Sequence, residues 1–272
     1  MSVPEIEVAG KTDPGCVRER NEDSLAIDRD LGLMVLADGM GGHNSGEVAS
    51  GLATDTILEF ARRLFAQDRE AEPPDAAPKL SLRSRQAVHL ITKANGAIYE
   101  KSRAFPKDHG MGTTVVVVLT DEKSVTVGHV GDSRLYLLRQ GKLHLLTEDH
   151  SLVMDQVKHG LLTIEQADKS HLQNILTRAL GTEDKVEVDV QDHEVRSGDV
   201  FMICSDGLTK MVTEAEIVGI LKSNAPEAAV DRLIARAREQ GGVDNVTVVV
   251  ARYPEDGERG GFRGMLARLL GR

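Results

Sequence analysis

The sequence predicts an α+β fold in which β-sheets pack together and helices cover them. Three observations carry this. Short apolar runs rich in Val, Leu and Ile recur along the 272 residues, separated by Gly, Asp and Ser. Several neighbouring runs are joined too tightly for a helical crossover, so they must pair antiparallel. Longer stretches with helical spacing fall between the strand blocks.

Taken in order, the first strand is Leu33-Met34-Val35-Leu36-Ala37, closed by Asp38-Gly39. Helical patterns follow at 46–66 and 82–103. Between them, residues 67–80 carry three prolines and many charges, which reads as an exposed loop and not a domain boundary. Strands at 114–119 and 124–130 are linked by Asp121-Glu122-Lys123, and strands at 134–139 and 143–146 by Gln140-Gly141, as hairpins. Two helices come next, 151–159 and 163–168, the second opened by a capping box, Thr163-Ile164-Glu165-Gln166. Strands 186–190 and 199–204 follow, and Asp206-Gly207 closes the latter. Thr213-Glu214-Ala215-Glu216 caps a helix over 213–222, and Pro226 suits the first turn of one over 226–240. The last strand, 246–251, follows Asp244-Asn245. No internal repeat is present, so residues 1–253 read as one domain with a Gly/Arg-rich tail, 254–272. In that tail Phe262, Met265, Leu266, Leu269 and Leu270 have helical spacing, but Gly260, Gly261 and Gly264 favour a frayed end over a docking or membrane-surface helix.

Composition excludes several functions. Hydrophobic residues make up 40% and charged residues 28%, as in ordinary globular proteins. With five Phe, three Tyr and no Trp, the core must be Val, Leu, Ile and Ala, and stacking platforms for single-stranded nucleic acid are not expected. A net charge of −10, from 33 Lys and Arg against 43 Asp and Glu, argues against a nucleic-acid backbone as partner. Cys16 and Cys204 make neither a disulfide framework nor a zinc site. The N-terminus lacks a signal pattern, and no run approaches the roughly eighteen apolar residues of a membrane span. A cytoplasmic location is the expectation.

The acidic residues at strand ends and turns point to chemistry. They are Glu22, Asp23, Asp38, Asp132, Asp206 and Asp244. Any one alone reads as a solvated turn acid. Asp38, Asp206 and Asp244, however, each flank a strongly apolar segment, so all three can lie on one rim of a sheet core. Carboxylates crowded there repel unless a cation neutralises them, and hard oxygen ligands suit Mg²⁺ or Mn²⁺. Gly39 removes the side chain that would hinder its carbonyl from turning inward. The neighbouring Gly-rich loop is not a nucleotide site. Gly41 and Gly46 have phosphate-loop spacing, but Glu47 stands where the lysine belongs and Val48 where Ser or Thr belongs.

These segments carry a family resemblance. Gly15-Cys16-Val17-Arg18-Glu19-Arg20-Asn21-Glu22-Asp23-Ser24, Ala37-Asp38-Gly39-Met40-Gly41-Gly42-His43, Gly112-Thr113-Thr114, Gly131-Asp132-Ser133-Arg134, Leu176-Thr177-Arg178-Ala179-Leu180-Gly181, Ser205-Asp206-Gly207-Leu208 and Asp244-Asn245-Val246-Thr247 resemble, in order, the motifs of the metal-dependent type 2C Ser/Thr protein phosphatases in their bacterial form. The match runs from about residue 8 to 252. It implies a four-layer α-β-β-α sandwich, two antiparallel sheets packed face to face and flanked by helix pairs. It also implies a binuclear Mn²⁺ or Mg²⁺ centre at one end, with Asp38 bridging, the Gly39 carbonyl completing one ion, and Asp206 and Asp244 the other. Asp132 with Asp206 matches a weaker third-metal position. Glu22, Asp23 and Thr114 match positions that hold metal-bound waters, Asn245 supports them, and Arg18 matches the arginine that grips the substrate phosphate. Residues 149–180 resemble the mobile flap, though Ser170-His171-Leu172 replaces a frequent His-Pro.

The implied activity is hydrolysis of phosphoserine and phosphothreonine on proteins by a metal-activated water, on a monomer opposing a Ser/Thr kinase. The alternatives are a phosphatase dedicated to one partner-switching phosphoprotein and an inactive phosphoprotein-binding module of the same fold. Arg18 has a second reading as a structural surface arginine, but its forked guanidinium suits a phosphate. Animal relatives carry a His where this chain has Met40. His43 nearby is a candidate acid or a plain loop residue.

Overall fold

The computed structural model describes residues 6–41, 45–66, 70–73, 79–167 and 169–255. Eleven strands are described: β1 (Glu7–Asp13), β2 (Asp23–Asp28), β3 (Leu33–Met40), β4 (Gly112–Thr113), β5 (Val115–Thr120), β6 (Ser124–Val130), β7 (Arg134–Arg139), β8 (Lys142–Leu145), β9 (Asp189–Glu194), β10 (Val200–Cys204) and β11 (Val246–Arg252). The described helices are α1 (Ser45–Phe65), α2 (Leu82–Ala104), α3 (Leu152–Lys158), α4 (Ile164–Ala167), α5 (Asp206–Thr209), α6 (Glu214–Ser223) and α7 (Pro226–Glu239). One antiparallel sheet has the order β1-β11-β10-β7-β8. The other runs β2-β3-β5-β6-β9, with β4 beside β3.

Successive residues of a strand face opposite sides of its sheet, and here both sides are covered. Leu33, Val35 and Ala37 of β3 pack with α1 and α2, while Met34 and Leu36 enter the layer between the sheets. In β11, Val246, Val248 and Val250 pack with α6 and α7, while Val249 and Ala251 face the other sheet. The apolar runs are unbroken because neither face of these strands meets water. The result is the four-layer α-β-β-α sandwich.

Edge strands are where sequence and structure diverge. β1, Glu-Val-Ala-Gly-Lys-Thr-Asp, and β2, Asp-Ser-Leu-Ala-Ile-Asp, each lie at the edge of a sheet, are half-buried, and lack the apolar signal. β9 falls at Asp189–Glu194 and not at 186–190, again on an edge with mostly polar residues. Helix ends follow the expected chemistry. Thr213 accepts from the Glu216 amide while the Glu216 carboxylate accepts from the Thr213 amide, and Thr163 and Gln166 exchange the same pair. The β7–β8 turn has Gln140 at φ 51° and Gly141 at φ 77°, both left-handed as a two-residue hairpin requires. Three expectations lie wholly or partly outside the described residues: the helical spacing after Phe262, any role of His43, and most of the proline-rich loop. No described helix is long and apolar enough to cross a membrane.

The topology decides where the chemistry sits. The ends of β3 and β10 and the starts of β2 and β11 meet at one end of the sandwich. There Asp23 pairs in register with Asp38, and Ser205 reaches Thr247.

Candidate metal centre and active site

A cavity of about 260 Å³ opens at that end. Asp38, Asp132, Asp206, Asp244 and Glu22 contribute to its wall, with Arg18, Gly39, Thr114 and Asn245 among them. Sequence-distant acids therefore do converge. Asp38 and Glu22 are held through their backbone. The Asp38 amide donates to Thr114 Oγ1 at 3.1 Å, and the Asp38 carbonyl accepts from the Thr114 amide at 2.9 Å. Thr114 Oγ1 also meets Ser133 Oγ at 2.8 Å, linking β3 to the Asp132 turn. Asn245 Oδ1 accepts from the Glu22 amide at 2.8 Å, and its Nδ2 donates to the carbonyls of Pro14 and Arg20. That one amide pins the Arg18-bearing loop onto β11. Thr114 and Asn245 thus act on the backbone of the acidic residues.

Both Asp-Gly glycines are required by space. A Cβ on Gly39 would lie 2.1 Å from the Gly46 carbonyl oxygen, and one on Gly207 would lie 2.0 Å from that of Asn245. Backbone segments close on the aspartates from both sides, so no side chain fits between them.

The electrostatics call for a cation. Burial first, then the charges of Asp23, Asp206, Asp132 and Asp244, push the Asp38 pKa well above the usual carboxylate range. Burial and Asp206 push Asp132 up to about 7. Asp23 is 7% exposed and is raised to about 6 by burial, against the opposing hydrogen bonds from Thr247 and Ser205. Its Oδ2 accepts from Ser205 Oγ at 2.8 Å and Thr247 Oγ1 at 2.6 Å, while Oδ1 has no partner among the described residues. The carboxylates of Glu22, Asp38, Asp132, Asp206 and Asp244 on one wall are a hard oxygen donor set that fits divalent ions.

A pH dependence follows, and its sign is fixed by the upward shifts. Without metal, these groups stabilise the fold at low pH by holding protons, and that contribution is lost as pH rises through about 6 and about 7, the folded values for Asp23 and Asp132. Metal must displace those protons, so Mn²⁺ binding is expected to weaken from about pH 8 to about pH 6 and to release protons, chiefly at the acid end. Titration calorimetry at low pH in two buffers of different ionisation enthalpy measures this. Identical heats in both would exclude proton release.

Two features differ from the expected arrangement. Arg18 is not pointed freely into the cavity: its Nε and NH2 fork onto the two oxygens of Asp244 at 3.0 and 3.1 Å. Lys210, which sequence reading missed, forms an ion pair with Asp206 Oδ2. Burial works against the Lys210 ammonium, but Asp206, Asp244 and Asp132 outweigh it and push its pKa up. Its signal was the spacing Asp206-Gly207-Leu208-Thr209-Lys210, since residues four apart on a helical turn share a face.

His129, His150 and Asp189 come together from distant positions, with potential ligand atoms within 4.8 Å of one another. Arg178 already supplies positive charge there, donating to Asp189 Oδ1 at 2.6 Å. Burial keeps both imidazoles low, His129 at about 4. Neutral His150 accepts from the Gly131 amide through Nδ1 at 3.1 Å, and its own amide donates to the Gly131 carbonyl at 3.0 Å. The cluster is a joint that fastens residues 149–151 to the turn bearing Asp132.

A family model described as Protein phosphatase 2C matches residues 17–245. The chain belongs to the protein phosphatase 2C family. The serine/threonine phosphatase stp of Listeria monocytogenes serovar 1/2a is 38% identical over 245 residues, 88% of this chain and 93% of that one. The solved catalytic domain of the serine/threonine protein phosphatase PstP in complex with two manganese ions superposes with a TM-score of 0.77 at 35% identity, over 92% of this chain and 99% of that one. Stp1 from Staphylococcus aureus gives 0.80 at 32%, over 93% and 97%. The type 2C fold thus accounts for both sheets, and the acidic cavity lies within the matched span.

Proposed function

We propose that this chain is a metal-dependent phosphatase that hydrolyses phosphoserine and phosphothreonine on proteins, with water as nucleophile. The observation that carries the reading is the convergence of carboxylates from separate chain segments on one cavity, with Asp38 half-buried among them. Asp38, the Gly39 carbonyl, Asp206 and Asp244 are the proposed ligands of two Mn²⁺ or Mg²⁺ ions, and Asp132 with Asp206 frames a third, weaker cation position. When bound, divalent ions lower the pKa of water and offset charge on the phosphoryl oxygens. The protein's own groups orient the reaction. Glu22 is an acceptor at the cavity wall able to align water, and Asp23 lies buried behind it, paired in register with Asp38. Thr114 and Asn245 keep the acids in register. Arg18 has the planar fork that grips two phosphate oxygens, and it lies half-exposed at the mouth, where it can leave Asp244 for substrate. Met40 offers no proton, so its place in the wall supplies no general acid.

In this reading residues 1–253 are the catalytic domain, with the flap at about 149–180, and 254–272 a separate tail. The substrates are phosphoproteins made by a Ser/Thr kinase, and the enzyme works as a cytoplasmic monomer. Hydrolysis of p-nitrophenyl phosphate and of phosphoserine and phosphothreonine peptides with Mn²⁺, abolished by EDTA, tests it. Absence of turnover with Mn²⁺ bound would favour the binding module.

Arg18→Ala is expected to raise KM about tenfold while Mn²⁺ binding is retained, because only the phosphate grip and the Asp244 pair are removed. Calorimetric loss of Mn²⁺ binding in this variant would contradict the assignment.

A further inference from the structure

Lys210 stands at the wall shared by two cavities. One is the 260 Å³ acidic cavity, and the other, of about 590 Å³, continues from it toward α3, α4 and α6. Asp132 and Asp206 belong to both, as Lys210 does. The short helix α5 begins at Asp206 and ends with Lys210 as its C-cap, whose amide donates to the Asp206 carbonyl at 2.9 Å. One helical turn therefore carries the ammonium back over the Asp206 carboxylate. The side chain is only 26% exposed, so the pair is partly withdrawn from water and its charges are weakly screened.

We propose that Lys210 is a tethered cation that takes the third metal position of this site, so that the chain works with two divalent ions and one ammonium. The inference rests on the two-metal reading above. Asp206 is already paired with Lys210, and a covalently attached ammonium supplies positive charge there at any metal concentration. A divalent ion entering the same corner would meet the ammonium's repulsion and compete with it for Asp206. The acidic cavity is in this way divided into a metal-binding part, around Asp38 and Asp244, and a corner at Asp206 Oδ2 that the chain's own ammonium neutralises.

The test is Mn²⁺ stoichiometry of the full chain by equilibrium dialysis, together with the Mn²⁺ dependence of p-nitrophenyl phosphate hydrolysis. The wild type is expected to bind two ions. Lys210→Ala is expected to bind a third, weaker one, and to lose about tenfold in rate at low Mn²⁺ with recovery as Mn²⁺ is raised. Lys210→Arg is expected to keep the wild-type stoichiometry, because it restores a cation. Folding of both variants is checked by circular dichroism, and if Lys210→Ala misfolds, the wild-type count and Lys210→Gln decide the matter. Three ions on the wild type, or an unchanged stoichiometry in Lys210→Ala, would overturn the proposal. So would a raised KM as that variant's sole effect. A wild type that binds no Mn²⁺ at all would instead remove the two-metal reading itself.

Discussion

Asp38→Asn is expected to lower hydrolysis of p-nitrophenyl phosphate by roughly a thousandfold or more, because the residue proposed to bridge both ions loses its charge. The same change is expected to leave the metal-free protein at least as stable as the wild type. Asp38 is half-buried at the cavity wall, and its ionised form is opposed by desolvation and by Asp23, Asp206, Asp132 and Asp244. An amide of nearly the same shape removes that repulsion without opening a cavity. In EDTA, thermal melts near neutral pH should therefore show an equal or higher Tm for the variant. With Mn²⁺ the order should reverse, since only the wild type gains from ligand binding. A variant that melts well below wild type in EDTA would show that Asp38 is structural in its own right. Turnover within tenfold of wild type would remove it from the metal centre.

Gly39→Ala should be among the most damaging single-methyl changes at the site, costing about 2–4 kcal/mol and most of the activity. Its Cβ would sit 2.1 Å from the Gly46 carbonyl oxygen and 2.6 Å from that of Glu22, and both obstacles are backbone. Relief requires the start of α1 or the Glu22 turn to move, and either shift disturbs the acids around Asp38. Gly96→Ala is the matched control. Gly96 lies within α2, and a Cβ there would meet nothing within 4 Å, so equal or slightly greater stability is expected. Denaturant unfolding of the two variants measures the difference. Equal stability would mean that the close packing around Gly39 is not a constraint.

The sequence made the inner strands legible because both faces of each are buried, which leaves Leu33–Ala37, Val200–Cys204 and Val246–Ala251 without a polar interruption. The capping boxes at Thr163 and Thr213 were legible for a different reason, since their hydrogen bonds span only three residues. β1, β2 and β9 were hidden or displaced because an edge strand is paired on one side and partly wet, so its residues need not be apolar.

The candidate site divides along the same line. Residue types and their order were enough to single out Asp38, Asp206, Asp244, Asp132, Glu22, Asp23 and Gly39, because carboxylates beside apolar strand ends announce charge that must be neutralised, whereas Thr114, Asn245 and Arg18 were singled out by the resemblance to the type 2C motifs. Three other facts were decided only by folding. Arg18 forks onto Asp244, Lys210 covers Asp206, and His129, His150 and Asp189 gather around Arg178. Such pairings depend on which distant segments the two sheets bring to one end of the sandwich. Their energies vary with separation and burial across space, and a one-dimensional order of residues encodes neither distance.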